Sequence, residues 1–143
     1  MARIHIELPE HFIFATEVPL YISHINHGNH LDNALLLTIV SEARARLYAS
    51  LGYTERDVEG LGMLMADAAL QYKSEGFYGD VMVVEMMPTE WHNKGFDLVW
   101  RMSNKATGRE VARGKSGMLF FDFTLGKVQP VPKAFINRIM KGT

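Results

Sequence analysis

Apolar residues recur at Leu35, Leu36, Ile39, Val40, Ala43 and Leu47. That three-to-four-residue spacing predicts a helix over residues 31–51, about five turns long, and Gly52 follows as its stop. On either side the period shortens. Residues 12–23 alternate loosely around Ile13, Val18, Leu20 and Ile22, and Pro19 among them marks an edge strand or a bulge. Residues 54–59 are polar and predict a short helical turn with Thr54 as its cap. Four strand-like runs follow, at 63–73, 80–87, 96–104 and 110–124. The third is the most regular, with Phe96, Leu98, Trp100 and Met102 all turned one way. Glu75-Gly76, residues 92–95 and residues 104–108 read as the turns between them, the last two as hairpin connections. Pro130 and Pro132 then break the chain, and residues 133–140 predict a short terminal helix.

The order is strand, long helix, then four antiparallel strands, an α+β arrangement. A single amphipathic helix needs a sheet to bury its apolar stripe. A curved antiparallel sheet wrapped around one central helix satisfies that need within a single domain over residues 1–143. The second face of such a sheet also needs cover, which predicts a homodimer or homotetramer. The bulk numbers fit: 143 residues suit one core, with 48% apolar and 22% charged residues. A formal net charge of -1 and the lack of a basic recognition helix argue against nucleic acid as a partner. The absence of cysteine excludes disulfides and thiolate chemistry. No apolar run approaches the roughly 18 residues of a spanning helix, and residues 1–12 lack the apolar stretch of a signal peptide. The expectation is a cytoplasmic protein with no membrane partner.

Candidate chemistry concentrates just before the helix, in HINHGNHLDNA at residues 24–34. A helix start offers unpaired N–H donors and a partial positive charge. His30 carries an imidazole, the side-chain type most often used to move protons. Asp32 is the one carboxylate of the loop and is either a reacting base or a first-turn acid that favours the helix dipole. Asn26 either lines a site or forms a turn. His24, His27 and His30 stand three apart in a non-helical loop. That spacing defines no shared ligand face, so no metal is expected.

The loop, the helix and a later strand resemble the hotdog-fold acyl-CoA thioesterases of the 4-hydroxybenzoyl-CoA thioesterase type. That family reads D-x-D-x-x-G-H-V-N-N-A before a helix carrying E-A-R. His30, Asn33 and Glu42-Ala43-Arg44 match in order and spacing, and residues 77–85, FYGDVMVVE, match the family's later P-x-x-x-G-D-x-L-x-V-E segment at Gly79-Asp80. The resemblance implies a hotdog fold and hydrolysis of an acyl-CoA to free acid and coenzyme A at the N-terminus of the central helix. It implies no cofactor beyond the coenzyme A of the substrate, and an acyl carrier protein is the other possible carrier. Asn26 occupies the place of the family's catalytic aspartate and His24 that of the first aspartate, while Asn29 replaces the glycine. The hotdog class with a carboxylate on the helix would place it at Leu36. The plant acyl-carrier-protein pattern D-x-N-x-H keeps only His30, with Asn26 and Gly28 at its other positions.

On that footing Asn26, His30 and Asp32 are the candidate catalytic residues. His30 would polarise the carbonyl or act as base, Asp32 would replace the missing carboxylate, and Asn26 would orient water or the carbonyl. His24, His27, Gly28, Asn29 and Asn33 are candidate substrate contacts. An amide cannot act as a carboxylate base, so a non-catalytic acyl-thioester-binding protein is the alternative. A hotdog dehydratase or hydratase ranks behind both, because the proline-rich approach to the helix is missing. Glu42 and Arg44 read as polar residues at an edge. Arg101, Lys105, Arg109, Arg113 and Lys115 form either a solvated hairpin or a docking surface for coenzyme A phosphates.

Overall fold

In a computed structural model, residues 2–141 are described. The elements change period where the sequence does. Strand β1 (Phe14–Pro19) precedes helix α1 (Leu36–Ser50), and then come β2 (Gly62–Tyr72), β3 (Val81–His92), β4 (Gly95–Asn104) and β5 (Glu110–Asp122). A short β6 (Lys127–Gln129) and α2 (Lys133–Met140) close the chain. The sheet order is β1-β3-β4-β5-β2 with β6 added beside β5, and every pairing is antiparallel. The terminal helix falls on the residues predicted for it. Strand β6 has no counterpart in the sequence reading, because three residues are too few to show a period.

Burial follows the pleat. Phe96, Leu98, Trp100 and Met102 of β4 and Met82, Val84 and Met86 of β3 are buried on one face. They meet Leu36, Ile39, Val40, Ala43 and Leu47 of α1. Helix α2 pushes Phe135 into a ring cluster, with centroids 5.1 Å from Phe120 and 5.6 Å from Phe96. Trp91, Tyr53 and Tyr48 complete it.

Three expectations change. The regular helix begins at Leu36 rather than residue 31, because residues 33–35 form a turn held by Asp32. Residues 54–59 form no helix. They make two tight antiparallel bridges, Thr54 with Asp57 and Val58 with Leu61, and the positive φ of Glu59 (54°) and Gly60 (85°) fits a two-residue hairpin turn. The outer sheet face is partly covered from within the chain. Ile6 is buried there, its N–H bonded to the Gln71 side chain at 2.8 Å, and Arg101 stacks on the Phe12 ring 5.1 Å from its centroid. No helix among the described residues is long and apolar enough to cross a membrane.

Candidate functional site

The loop before α1 is rigid for identifiable reasons. Asn26 and His30 close it through Asn26 N–H to His30 O at 3.0 Å, and Ile25 pairs with Leu31. Asn26 Oδ1 accepts the Gly28 N–H at 2.9 Å, an Asx turn. Asn29 takes the left-handed conformation, φ 65°, that asparagine tolerates. Asp32 N–H then bonds His24 O at 2.9 Å, and Asp32 Oδ2 accepts from Ala34 N–H (2.9 Å) and Leu35 N–H (3.0 Å). This is side-chain capping of a helix start. The Asn33 N–H, which belongs to the same start, is taken by no acceptor among the described residues.

A cleft of about 260 Å³ opens beside this start, lined by His30, Asn33, Leu36, Tyr72, Lys73 and Glu75 among others. Two long-range contacts build it. Leu31 N–H bonds Gly76 O at 2.8 Å, and the Tyr72 hydroxyl donates to Asn33 O at 3.0 Å. Together they dock the end of β2 and the following turn onto the helix start. His30 is half-buried, with Nδ1 3.3 Å from Leu31 O and Nε2 3.9 Å from a Glu75 carboxylate oxygen. A carbonyl only accepts, so Nδ1 carries the hydrogen and Nε2 faces the cleft. A Cβ on Gly28 would stand 3.0 Å from His30 Nε2 and 3.2 Å from Asn26 Oδ1. The bare glycine therefore keeps both atoms uncovered.

The predicted residues thus divide. Asn26, Gly28 and His30 gather on the loop, His30 and Asn33 line the cleft, and Asp32 holds the helix start in place. His24 lies apart: its ring stacks on Tyr21, its Nδ1 accepts the Tyr21 N–H, and it lines a separate depression with Glu42 and Arg46. His27 and Asn29 are exposed on the loop's outer turn. Glu42 pairs with Arg46 at 2.8 Å, and the buried Arg44 pairs with Glu55 at 2.8 Å. Four of the five basic hairpin residues are engaged within the chain: Arg101 with Glu85, Lys105 with Glu17, Arg113 with Glu110, and Lys115 with Asp67 and Asp97. Hydrogen bonding to Arg113 holds the Glu110 carboxyl below its usual range. Among the described residues no group of three or more His, Cys, Asp or Glu could hold a metal ion. Sequence reasoning passed over Tyr72, Lys73 and Glu75, whose place here depends on contacts about forty residues apart along the chain.

Comparison with known proteins places these observations. A family model described as the thioesterase-like superfamily matches residues 21–139. Curved-sheet domains of the same build recur among solved structures. A 1,4-dihydroxy-2-naphthoyl-CoA thioesterase from Synechocystis superposes with a TM-score of 0.80 at 16% identity, covering 88% of this chain and 94% of that one. A thioesterase from Thermus thermophilus, complexed with coenzyme A and Zn, gives 0.80 at 19% identity over 94% and 97%. The hypothetical protein SAV2348 from Staphylococcus aureus, in complex with CoA, gives 0.80 at 20% over 90% and 82%. At these identities the likeness speaks for the fold. No curated protein matches by sequence.

Proposed function

Because the chain belongs to the thioesterase-like superfamily, we propose that it hydrolyses an acyl thioester, with acyl-CoA the first carrier to test, at the N-terminal end of α1. The observation that carries this reading is the cleft that His30 and Asn33 line together beside the start of α1, where the Asn33 N–H meets no acceptor among the described residues. A thioester carbonyl seated there would direct its developing negative charge at the Asn33 N–H and the positive end of the helix dipole. His30 supplies an imidazole whose Nε2 can accept a proton or a hydrogen bond from water. Asn26, held by its Asx turn, would orient the carbonyl or a water. Asp32 fixes where the helix begins, since one of its oxygens already binds two N–H groups.

In this reading the chain is a single hotdog domain over residues 1–143, its sheet wrapped around α1, working in the cytoplasm without cofactor or metal. It assembles as a homodimer or homotetramer. The outer edge of β2 supports that: beyond Met63, whose N–H is bonded to Glu55 O at 2.7 Å, the strand has no second neighbour in the sheet among the described residues, and Met65 is half-exposed, a template for a second copy. Strand β2 ends at Tyr72 in the cleft wall, so a paired copy would lie alongside the site.

The test is thiol release from short, medium, long and aromatic acyl-CoAs, and from acyl carrier protein thioesters, with His30→Ala beside the wild type. Turnover lost in the variant supports hydrolysis at the helix start. No turnover on any thioester, with acyl-CoA still raising the melting temperature, supports instead a binding protein that lacks its carboxylate at Asn26.

A further inference from the structure

We propose that Glu75 is the catalytic carboxylate of this site, activating water in place of the carboxyl that Asn26 lacks. The proposal rests on the thioesterase reading above and names its missing base.

Three observations carry it. Glu75 lines the same cleft as His30 and Asn33, with its Oε1 3.9 Å from His30 Nε2. Its carboxylate accepts no hydrogen bond among the described residues, and its side chain is 62% exposed, so its lone pairs are available. Asp32 differs in this respect, with Oδ2 committed to two helix N–H groups. Glu75 also sits on fixed backbone. Gly76 O accepts the Leu31 N–H, Gly76 packs against Leu20 and Leu31, and on the other side Ser74 Oγ donates to Glu110 O at 2.7 Å. A water about 2.8 Å from both Oε1 and Nε2 fits as the apex over that 3.9 Å base. Such a water would lie beside the helix start where the carbonyl is proposed to sit.

The step balances without a co-reactant. The Glu75 carboxylate takes a proton from water as the water oxygen bonds to the thioester carbon. The carbonyl electron pair moves onto oxygen, facing the Asn33 N–H. Collapse restores the C=O bond and breaks the C–S bond, and the proton held by Glu75 passes to the departing sulfur. The products are the acid and the thiol. His30 Nε2 accepts the water's other hydrogen and so holds it in line.

The experiment is kcat and KM on the best acyl-CoA of the panel for wild type, Glu75→Gln and Glu75→Asp, with melting temperatures for each. Loss of a general base lowers rates by about 10²–10⁴-fold. Glu75→Gln is expected to lose at least about 100-fold in kcat, with KM within about three-fold and an unchanged melting temperature. Glu75→Asp should recover part of the rate. An active wild type with a Glu75→Gln variant of equal kcat overturns this assignment alone. A wild type inactive on every thioester brings down the thioesterase reading and this assignment together.

Discussion

Asp32 gives the sharpest test of how the helix start is built, because capping and charge can be separated by two substitutions. Its Oδ2 holds the Ala34 and Leu35 N–H groups at 2.9 and 3.0 Å. Asparagine caps about as well as aspartate, whereas alanine costs about 1 kcal/mol. Loss of the negative charge near the helix dipole costs roughly a further 0.3–1 kcal/mol in either variant. Unfolding entropy near 60 °C is about 2.1 cal/mol/K per residue, or about 0.3 kcal/mol/K for this chain. Asp32→Asn should therefore lower the melting temperature by about 1–3 °C and Asp32→Ala by about 4–7 °C. Thermal melts followed by far-ultraviolet circular dichroism at one pH and salt concentration make the comparison. Equal losses in the two variants would refute the capping argument and leave charge alone as the role of this side chain. An Asp32→Ala melt within about 1 °C of wild type would refute both.

Other positions give independent checks. Gly28→Ala places a methyl 3.0 Å from His30 Nε2 on a backbone without positive φ, so turnover should fall at least about ten-fold while the melting temperature shifts little; retained activity would show that Nε2 is not the working atom. Phe135→Ala empties the centre of the aromatic cluster and should cost about 3–5 kcal/mol, a drop of about 10–15 °C, read by denaturant titration with m unchanged. Burial and the hydrogen bond to Glu59 push Tyr53 up to about 12. The folded state thus keeps a proton that the unfolded chain releases near 10, so this contribution is complete below about pH 10 and fades as pH rises through about 12. Denaturation midpoints across that window should fall less steeply in Tyr53→Phe than in the wild type.

Elements whose burial is one-sided were legible along the chain. The apolar stripe of α1 and the alternation of β4 follow from facing each other across one core, and each carries that periodicity in its own residues. The elements that failed are those decided by a few backbone contacts. Asp32 delays the regular helix to Leu36 by taking the N–H groups of a turn. Residues 54–59 looked like a capped helix, yet Gly60 at φ 85° turns them into a hairpin instead. The outer-face cover was read as a task for another copy, but Ile6 and Phe12 take part of it. That assignment depends on where an irregular segment lies, and irregular segments show no period.

The site was half legible for a related reason. Asn26, Gly28, His30 and Asn33 sit within eight residues, so local spacing alone gathers the first three on the loop and sets His30 beside Asn33 on the cleft. Glu75 stands four residues before Gly79, where the family segment carries a proline, and no motif points to it. Its nearness to His30 is created by one hydrogen bond, Leu31 N–H to Gly76 O, and by the burial of Gly76 against Leu20 and Leu31. The loop carries no carboxylate at position 26, and the facing turn brings one, Glu75, to 3.9 Å from His30. Chemistry constrains what stands around the carbonyl, not which segment supplies it. A loop that reads as deficient alone has a carboxylate beside it once its partner turn is docked.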